Sequence, residues 1–380
     1  MKHYKVVILG CGASGAMCAL SAKCDNLAVI DANVSPAKKI LVTGNGRCNL
    51  TNINPSHEAY NQNIDKYLNK FGIEDTLAFF QSIGLEYCHD EEGRVYPLSN
   101  TAKSVQDVIN NALQNKVDFY LGQYVTEISK VSKGFIVVTD KEKFECNKLV
   151  IATGGNSIVN SLVNLGVNFK PFTPSLVALK CDNIDGLNGV RVPYVKVTAN
   201  DLDGNSVSKY GEVLFRDNGL SGIVIFNTST LFARKGIFSG NVSIDLLPNL
   251  STNELLKKIQ NRKNINKDIN KLFVGMFHNA VANEIFKQAK INTNCNVLSE
   301  DDVNKLAFVI KNLSYTVTGH LDNNQVFSGG VCLDALTDNL MSKSMPNLYF
   351  TGEVCDVDGV CGGYNLQWAW TSGHIVGEAL

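Results

Sequence analysis

No apolar run of 18 or more residues occurs in this 380-residue chain, so no membrane-crossing helix is expected. Its 11 cysteines are scattered, odd in number and free of any Cys-x-x-Cys pair. That argues against a disulfide framework and fits a reducing cytoplasm. None of the six histidines stands at metal-ligand spacing from another. His89, His278 and His320 therefore read as structural or solvent-exposed, and no metal is expected. Charge of one sign is also missing: 35 Lys and Arg balance 36 Asp and Glu. No broad basic field points to nucleic acid or anionic lipid, and neither is expected as a partner. There is no low-complexity tail and no internal repeat. The length suffices for two or three domains.

What the chain does have is two glycine-rich segments at opposite ends. The first follows the apolar run Lys5–Leu9, the length of a buried parallel strand. Its glycines stand at 10, 12 and 15, the G-x-G-x-x-G spacing. Gly10 permits a tight turn, Gly12 lets backbone approach a diphosphate, and Gly15 lets the next helix pack on the strand. That helix is predicted to start near Ala13 or Ser14, its N–H groups aimed at phosphate. A second apolar run, Leu27–Ile30, ends in Asp31, placed to accept hydrogen bonds from a ribose. The first 22 residues also have the outline of a secretory leader, but three glycines and Ser14 interrupt it. The far end offers Leu348–Thr351 as a strand, then Gly352-Glu353, then Gly362-Gly363-Tyr364-Asn365 opening a helix predicted over Tyr364–Glu378.

Between them, residues 36–52 are dense in glycine, asparagine and hydroxyls, a loop rich in donors for a phosphate or a ring edge. Tyr124–Ser129, Phe135–Thr139 and Phe144–Cys146 read as three short antiparallel strands. Leu149–Ala152 reads as a separate buried strand entering the turn Thr153-Gly154-Gly155. Further on, Leu179–Cys181, Val195–Ala199, Val207–Tyr210, Val213–Phe215 and Val242–Asp245 read as strands. Thr252–Gln260, Lys267–His278, Ala280–Ala289 and Glu300–Ile310 read as helices, the first with a capping-box start at Ser251 and Glu254.

Several blocks carry a closer resemblance: Gly44 to Asn52 with its G-R-C-N-L-T-N, Gly93-Arg94-Val95-Tyr96-Pro97, Gly211–Phe215, Gly219–Gly222, Phe327–Val331, and the G-G-Y-N-L-Q-W that starts at Gly362. On these the chain resembles the BaiN-like, aminoacetone-oxidase-type FAD-dependent oxidoreductases of the glutathione-reductase-like flavoprotein superfamily. There are departures. Asp31 stands where the family usually has Glu, Asn45 replaces the middle glycine of the loop, and the stretch Asn156–Gly166 is short and lacks the usual S-Y-P.

The resemblance implies an α/β chain with a Rossmann-like FAD-binding domain of the two-dinucleotide-binding type, residues 1–176 with 326–380. A β-rich insert, 177–250 with 311–325, and a helical insert, 251–310, would follow. It implies non-covalent FAD held by Gly10, Gly12, Ala13, Ser14, Gly15, Asp31, Lys39, Gly44, Gly46, Arg47, Cys48, Asn49, Val125, Thr153, Gly154, Gly155, Gly352, Glu353, Gly362 and Gly363. Glu353 would bond the ribityl chain. The N–H groups of Tyr364, Asn365 and Leu366 would face flavin N1 and O2, where a helix N-terminus favours the charge of the reduced ring by roughly 0.3–2 kcal/mol. Arg47 suits a phosphate or a substrate carboxylate. Cys48, Cys355 and Cys361 read as buried thiols rather than a redox pair. The implied activity is hydride transfer through flavin N5, from NAD(P)H to an enone-type small molecule or to oxygen. An amine or aminoketone oxidase, an RNA-modifying flavoenzyme and a non-catalytic FAD protein are the alternatives. No second G-x-G-x-x-G exists, so NAD(P)H is expected to dock transiently. The catalytic acid, the substrate and the oligomeric state are left open.

Overall fold

The apolar run at the start is the buried end of a strand, Lys2–Leu9, in which Val6 to Leu9 are inaccessible and the residues before them are not. A strand buried on both faces needs cover on both, which parallel crossovers supply. In the computed structural model, which describes residues 1–54, 57–155, 159–265, 268–292, 297–321 and 326–380, its neighbours are parallel. Asp118–Leu121, Leu27–Asp31, Lys2–Leu9 and Lys143–Ile151 stand side by side in that order. Leu348–Phe350 joins the far edge of Lys143–Ile151 in parallel, pairing with Leu149 to Ile151. The first half of the same strand pairs antiparallel with Gly134–Thr139, which pairs with Val125–Val131.

The sequence reading split Lys143–Ile151 into two strands at Asn147-Lys148, and the structure corrects this. The polar pair marks only the switch from a half-exposed alternating segment to a fully buried one. Lys148 then reaches the last carbonyls of the chain, with Nζ 3.0 Å from both Ala379 O and Leu380 O. A cation there suits the negative end of the closing helix, Tyr364–Glu378.

The first helix, Ala13–Ser21, lies directly against the closing helix. A Cβ at Gly373 would stand 2.4 Å from Ser14 O, and one at Gly377 would stand 2.6 Å from Cys18 O. Two glycines four apart place both on one face and let the backbones touch. The two ends of the chain are thereby bound into one layer. Thr51–Asn52, Arg94–Pro97 and Tyr87–His89 form a small separate antiparallel sheet.

His374 of the closing helix stacks on Phe71 at 4.0 Å and stands 3.0 Å from Ser21 Oγ through Nδ1. Burial pushes its pKa below the ordinary 6.5, against the pull of Glu378 and Asp75. Below pH 6.5 the unfolded chain binds a proton that the folded chain refuses, so stability falls as pH falls. Melting curves from pH 7.5 to 5 should show the gap between the wild type and His374→Gln narrowing in the wild type's disfavour below that point.

The chain divides into two compact units, Met1–Thr173 with Val326–Leu380, and Pro174–Gln325. In the second, six strands close a barrel in the order Leu179–Cys181, Gly219–Ser221, Ser206–Arg216, Arg191–Asp201, Gly240–Asp245 and Leu313–His320. Val207–Tyr210 and Val213–Phe215, read as two strands, are one continuous strand. Arg191–Asp201 carries a bulge between Val192 and Val195, with Tyr194 left-handed at φ 56°. Helices Thr252–Ile265, Asn279–Ala289 and Glu300–Lys311 share one hydrophobic core with the barrel. The capping box is present: Ser251 N donates to Glu254 Oε2 at 2.8 Å.

The helix predicted over Lys267–His278 does not form. Lys267 itself lies outside the described residues, and beyond it only a turn of 3-10 helix spans Ile269–Lys271. The Arg262 guanidinium takes the carbonyls of Leu272 and Val274 out of any helical ladder, and Gly275 turns left-handed at φ 75°. Conversely, Ile223–Ala233 is a helix that the sequence reading lacks. It is apolar nearly all round because it is buried nearly all round, which removes the 3.6-residue signal.

Candidate functional site

Each of the three early glycines has its own physical reason. Gly10 is left-handed at φ 95°, and a Cβ there would stand 2.5 Å from Ala152 O. A Cβ on Gly15 would stand 2.0 Å from Gly10 O. Gly12 differs: its backbone is ordinary, at φ −74°, and a Cβ there meets nothing within 4 Å. Nothing among the described residues requires glycine at 12, so a ligand approaching the backbone there would account for it. Gly12 opens the helix Ala13–Ser21, which has no side-chain cap and no acid in its first turn. Its first N–H groups, including those near Ser14 and Gly15, are thus open to an anion.

Asp31 holds this turn in place. Its Oδ2 accepts from Cys11 N at 2.6 Å, and its Oδ1 accepts from Asn33 N at 2.7 Å. Gln123 N donates to Asp31 O at 3.1 Å, which brings the start of the Val125 strand beside it. Ala37 N donates to Cys11 O at 2.7 Å and fastens the next loop to the turn. In that loop Gly44, Asn45 and Gly46 are left-handed in succession, at φ 54°, 56° and 81°. Asn45 can replace a glycine there because asparagine tolerates that region best among side-chain-bearing residues.

The blocks that carry the resemblance bond to one another. Trp370 Nε1 donates to Leu50 O at 2.9 Å, Thr51 Oγ1 to Gln367 Oε1 at 2.6 Å, and Asn52 Nδ2 to Gly362 O at 3.1 Å. A Cβ on Gly363 would stand 2.5 Å from the Thr51 carbonyl carbon. Gly352 sits at the meeting point of both helices. Its N donates to Ser372 Oγ at 2.9 Å, its O accepts from Trp368 Nε1 at 3.0 Å, and a Cβ would lie 2.3 Å from Ser14 Oγ. The two glycine segments thus converge on one place. Ser372 carries no motif signal; only its contact with Gly352 reveals it.

At the closing helix, Gly363 is left-handed at φ 101° and offers no side-chain cap, and the first turn has no acid. Asn49 Oδ1 is buried with no partner among the described residues and stands 2.9 Å from where a Gly363 Cβ would be. An unsatisfied acceptor beside uncapped donors matches the mixed donor and acceptor edge of a flavin pyrimidine. Asn365 spends its side chain on Gly359, accepting from its N at 2.9 Å and donating to its O at 2.8 Å, so only its backbone and that of Leu366 are free to serve. Tyr364 donates to Asn54 O at 3.2 Å, and its ring meets Tyr60 edge-on.

Glu353 joins four segments. Its Oε1 accepts from Phe327 N at 2.8 Å, and its Oε2 accepts from Gly155 N at 3.2 Å and pairs with Lys39 Nζ at 3.0 Å. Gly154 passes within 3.1 Å of that carboxylate, counted from a Cβ, with Thr153 just before it. Phe327, which sequence spacing does not mark, packs its ring where a Gly155 Cβ would be. Asn156, the start of the shortened stretch, lies outside the described residues. Arg47 has no carboxylate partner among the described residues; its guanidinium lies 4.4 Å from the centre of the Tyr96 ring.

Burial pushes the Cys48 and Cys361 thiols up to about 12 and the Cys355 thiol up further, so all three are held as thiols near neutrality. Cys48 is also left-handed, at φ 60°. His89 is exposed, His278 caps a helix by accepting from Ala280 N, and His320 lies 4.8 Å from the Phe238 ring.

The residues present fit an FAD: an opening at Gly12 over bare helix N–H groups, an acid behind it, and an orphan acceptor at the second helix end. Comparison with known proteins agrees. A family profile described as the HI0933-like protein Rossmann domain matches residues 4–379. The 3-dehydro-bile acid delta(4,6)-reductase of Clostridium scindens is 32% identical, covering 99% of this chain and 98% of its own length. A ribosomal RNA dihydrouridine synthase of Escherichia coli is 28% identical, covering 100% and 98%. The 3-ketosteroid delta1-dehydrogenase of Sterolibacterium denitrificans superposes with a TM-score of 0.53 over 100% of this chain and 99% of its own, at 11% identity, a likeness of fold. The expectation that excludes nucleic acid gains no support from these relatives, one of which is named for ribosomal RNA. Among the described residues no helix is long and apolar enough to cross a membrane.

Proposed function

The chain belongs to the HI0933-like Rossmann family of FAD-dependent oxidoreductases, and from that premise we propose that it reduces a carbon–carbon double bond conjugated to a carbonyl, with NADH or NADPH as the electron source. The observation that carries the cofactor assignment is Gly12, which is small for no reason found among the described residues. Ala13, Ser14 and Gly15 would present N–H groups to the diphosphate, and Asp31 would accept from the ribose while it holds the turn. The start of the closing helix would face the pyrimidine edge of the flavin, with Asn49 as acceptor. FAD supplies hydride transfer at its N5 when bound; the chain binds it, orients it and keeps water out.

The class of acceptor rests on what two relatives share. A delta(4,6)-reductase of a 3-dehydro bile acid and a dihydrouridine synthase differ greatly in substrate size, yet the bond each name describes is a C=C in conjugation with a carbonyl. A uridine in ribosomal RNA is the second reading. Residues 174–325 hold 17 Lys and Arg against 14 Asp and Glu, so that unit carries a modest basic excess within a chain that is otherwise slightly acidic.

Anaerobic titration of the yellow holoprotein should bleach it with NADH or NADPH. Reoxidation should then follow on adding a 4,6-dien-3-one steroid or, for the second reading, an unmodified ribosomal RNA fragment, with salt-dependent binding. No bleaching by either nicotinamide, with bleaching by an amine and peroxide on readmission of oxygen, would replace the proposal with an oxidase.

A further inference from the structure

The Lys39–Glu353 pair does more than add one contact to the cradle. We propose that Lys39 is a positioning residue that acts on FAD through Glu353, and that Glu353 serves mainly to fasten the loops around the cofactor. The inference rests on the FAD reading above. An ionised carboxylate offers about four acceptor positions. On Glu353 the described residues take three of them: Phe327 N, Gly155 N and Lys39 Nζ. One position remains for a hydroxyl of the ribityl chain.

The four segments so joined are the loop after the second strand, the turn Gly154-Gly155, the strand Val326–Val331, and Gly352–Val354. All lie in one unit of the chain. The carboxylate is the more buried partner, its side chain 18% exposed against 59% for Lys39. An exposed lysine that bound diphosphate for itself would be free to swing to it. This one is drawn down onto a half-sheltered acid whose other bonds are all to backbone. Without the cation, Glu353 would set a bare negative charge beside a cofactor that already carries two. Lys39 therefore orients the carboxylate and offsets its charge at once.

The test is a double-mutant cycle on FAD binding to the apoprotein, read by quenching of flavin fluorescence. The set is wild type, Lys39→Met, Glu353→Gln and the double variant, with ADP binding measured alongside. Lys39→Met should weaken FAD about tenfold and Glu353→Gln by a similar factor, while the double variant should be no more than about threefold worse than either. ADP, which has the diphosphate but no ribityl chain, should bind the Lys39→Met variant as it binds the wild type. Lys39→Arg should restore most of the FAD affinity.

Losses that multiply to about a hundredfold, an ADP affinity that falls with Lys39, or a Lys39→Met variant that binds FAD normally would each overturn the proposal. Apoprotein melting temperatures and circular dichroism separate these outcomes from misfolding, since Lys39 is exposed and its loss should leave both unchanged. A wild type that binds no FAD at all would instead sink the cofactor reading on which the pair depends.

Discussion

Gly12→Leu should abolish tight FAD binding and leave the fold as it is. The backbone at Gly12 is at φ −74° and ψ −162°, extended values that leucine adopts freely, and a Cβ there meets no atom within 4 Å. Leucine is a poorer helix N-cap than glycine by about 1 kcal/mol, a small share of the stability of a unit of this size. The apoprotein should therefore melt no more than about 2–4 °C below the wild type. The leucine side chain would fill the space in front of the first-turn N–H groups, where the proposed FAD would place its diphosphate. A loss of at least about a hundredfold in FAD affinity, roughly 2.8 kcal/mol, is expected. Gly15→Ala is the contrast. Its methyl would stand 2.0 Å from Gly10 O, so the turn itself must open, and both melting temperature and FAD affinity should fall. A Gly12→Leu protein that retains wild-type affinity would show that the opening serves no ligand.

Gly373→Leu should be the most damaging single change to the first unit. The first and closing helices meet at Gly373 and Gly377, where a Cβ at Gly373 would be 2.4 Å from Ser14 O. No rotamer relieves a clash between a Cβ and backbone, so the helices must separate. Overpacking of this kind costs about 1–3 kcal/mol and more where backbone must move. The gain in helix propensity over glycine, at most about 1 kcal/mol, does not offset it. A fall in melting temperature of roughly 6–12 °C is expected for a loss near 3 kcal/mol in a unit of this size. Because Ser14 and Gly352 move with the first helix, FAD affinity should fall as well. A variant with an unchanged melting temperature would mean that the helices do not pack as described.

The two glycine-rich turns were legible in the sequence because glycine spacing reports backbone constraints that are local and strong. Gly10, Gly15 and Gly363 each owe their identity to a left-handed φ or a backbone contact, and the closing helix starts and ends where its pattern says, Tyr364–Glu378. The partners of Glu353 were not legible. Lys39 is 314 positions away in the chain and Phe327 contributes a backbone N–H, which has no signature in sequence. The barrel closes through three-residue strands, Leu179–Cys181 and Gly219–Ser221, too short for a pattern to show their pairing. Ala102–Leu113 was readable in principle: Thr101 caps it, and Ala102, Val105, Ile109 and Leu113 repeat at helical spacing on its buried face. Ile223–Ala233 was not, since uniform burial erases periodicity.

The most direct measurement is to release the small molecule from the purified native protein by heat, identify it, and weigh it against the chain. The expected result is a yellow protein that gives up stoichiometric FAD without cleavage of any covalent bond, and an apoprotein that takes FAD back in preference to FMN. A protein that purifies colourless and gains neither absorbance nor thermal stability from added FAD would contradict it.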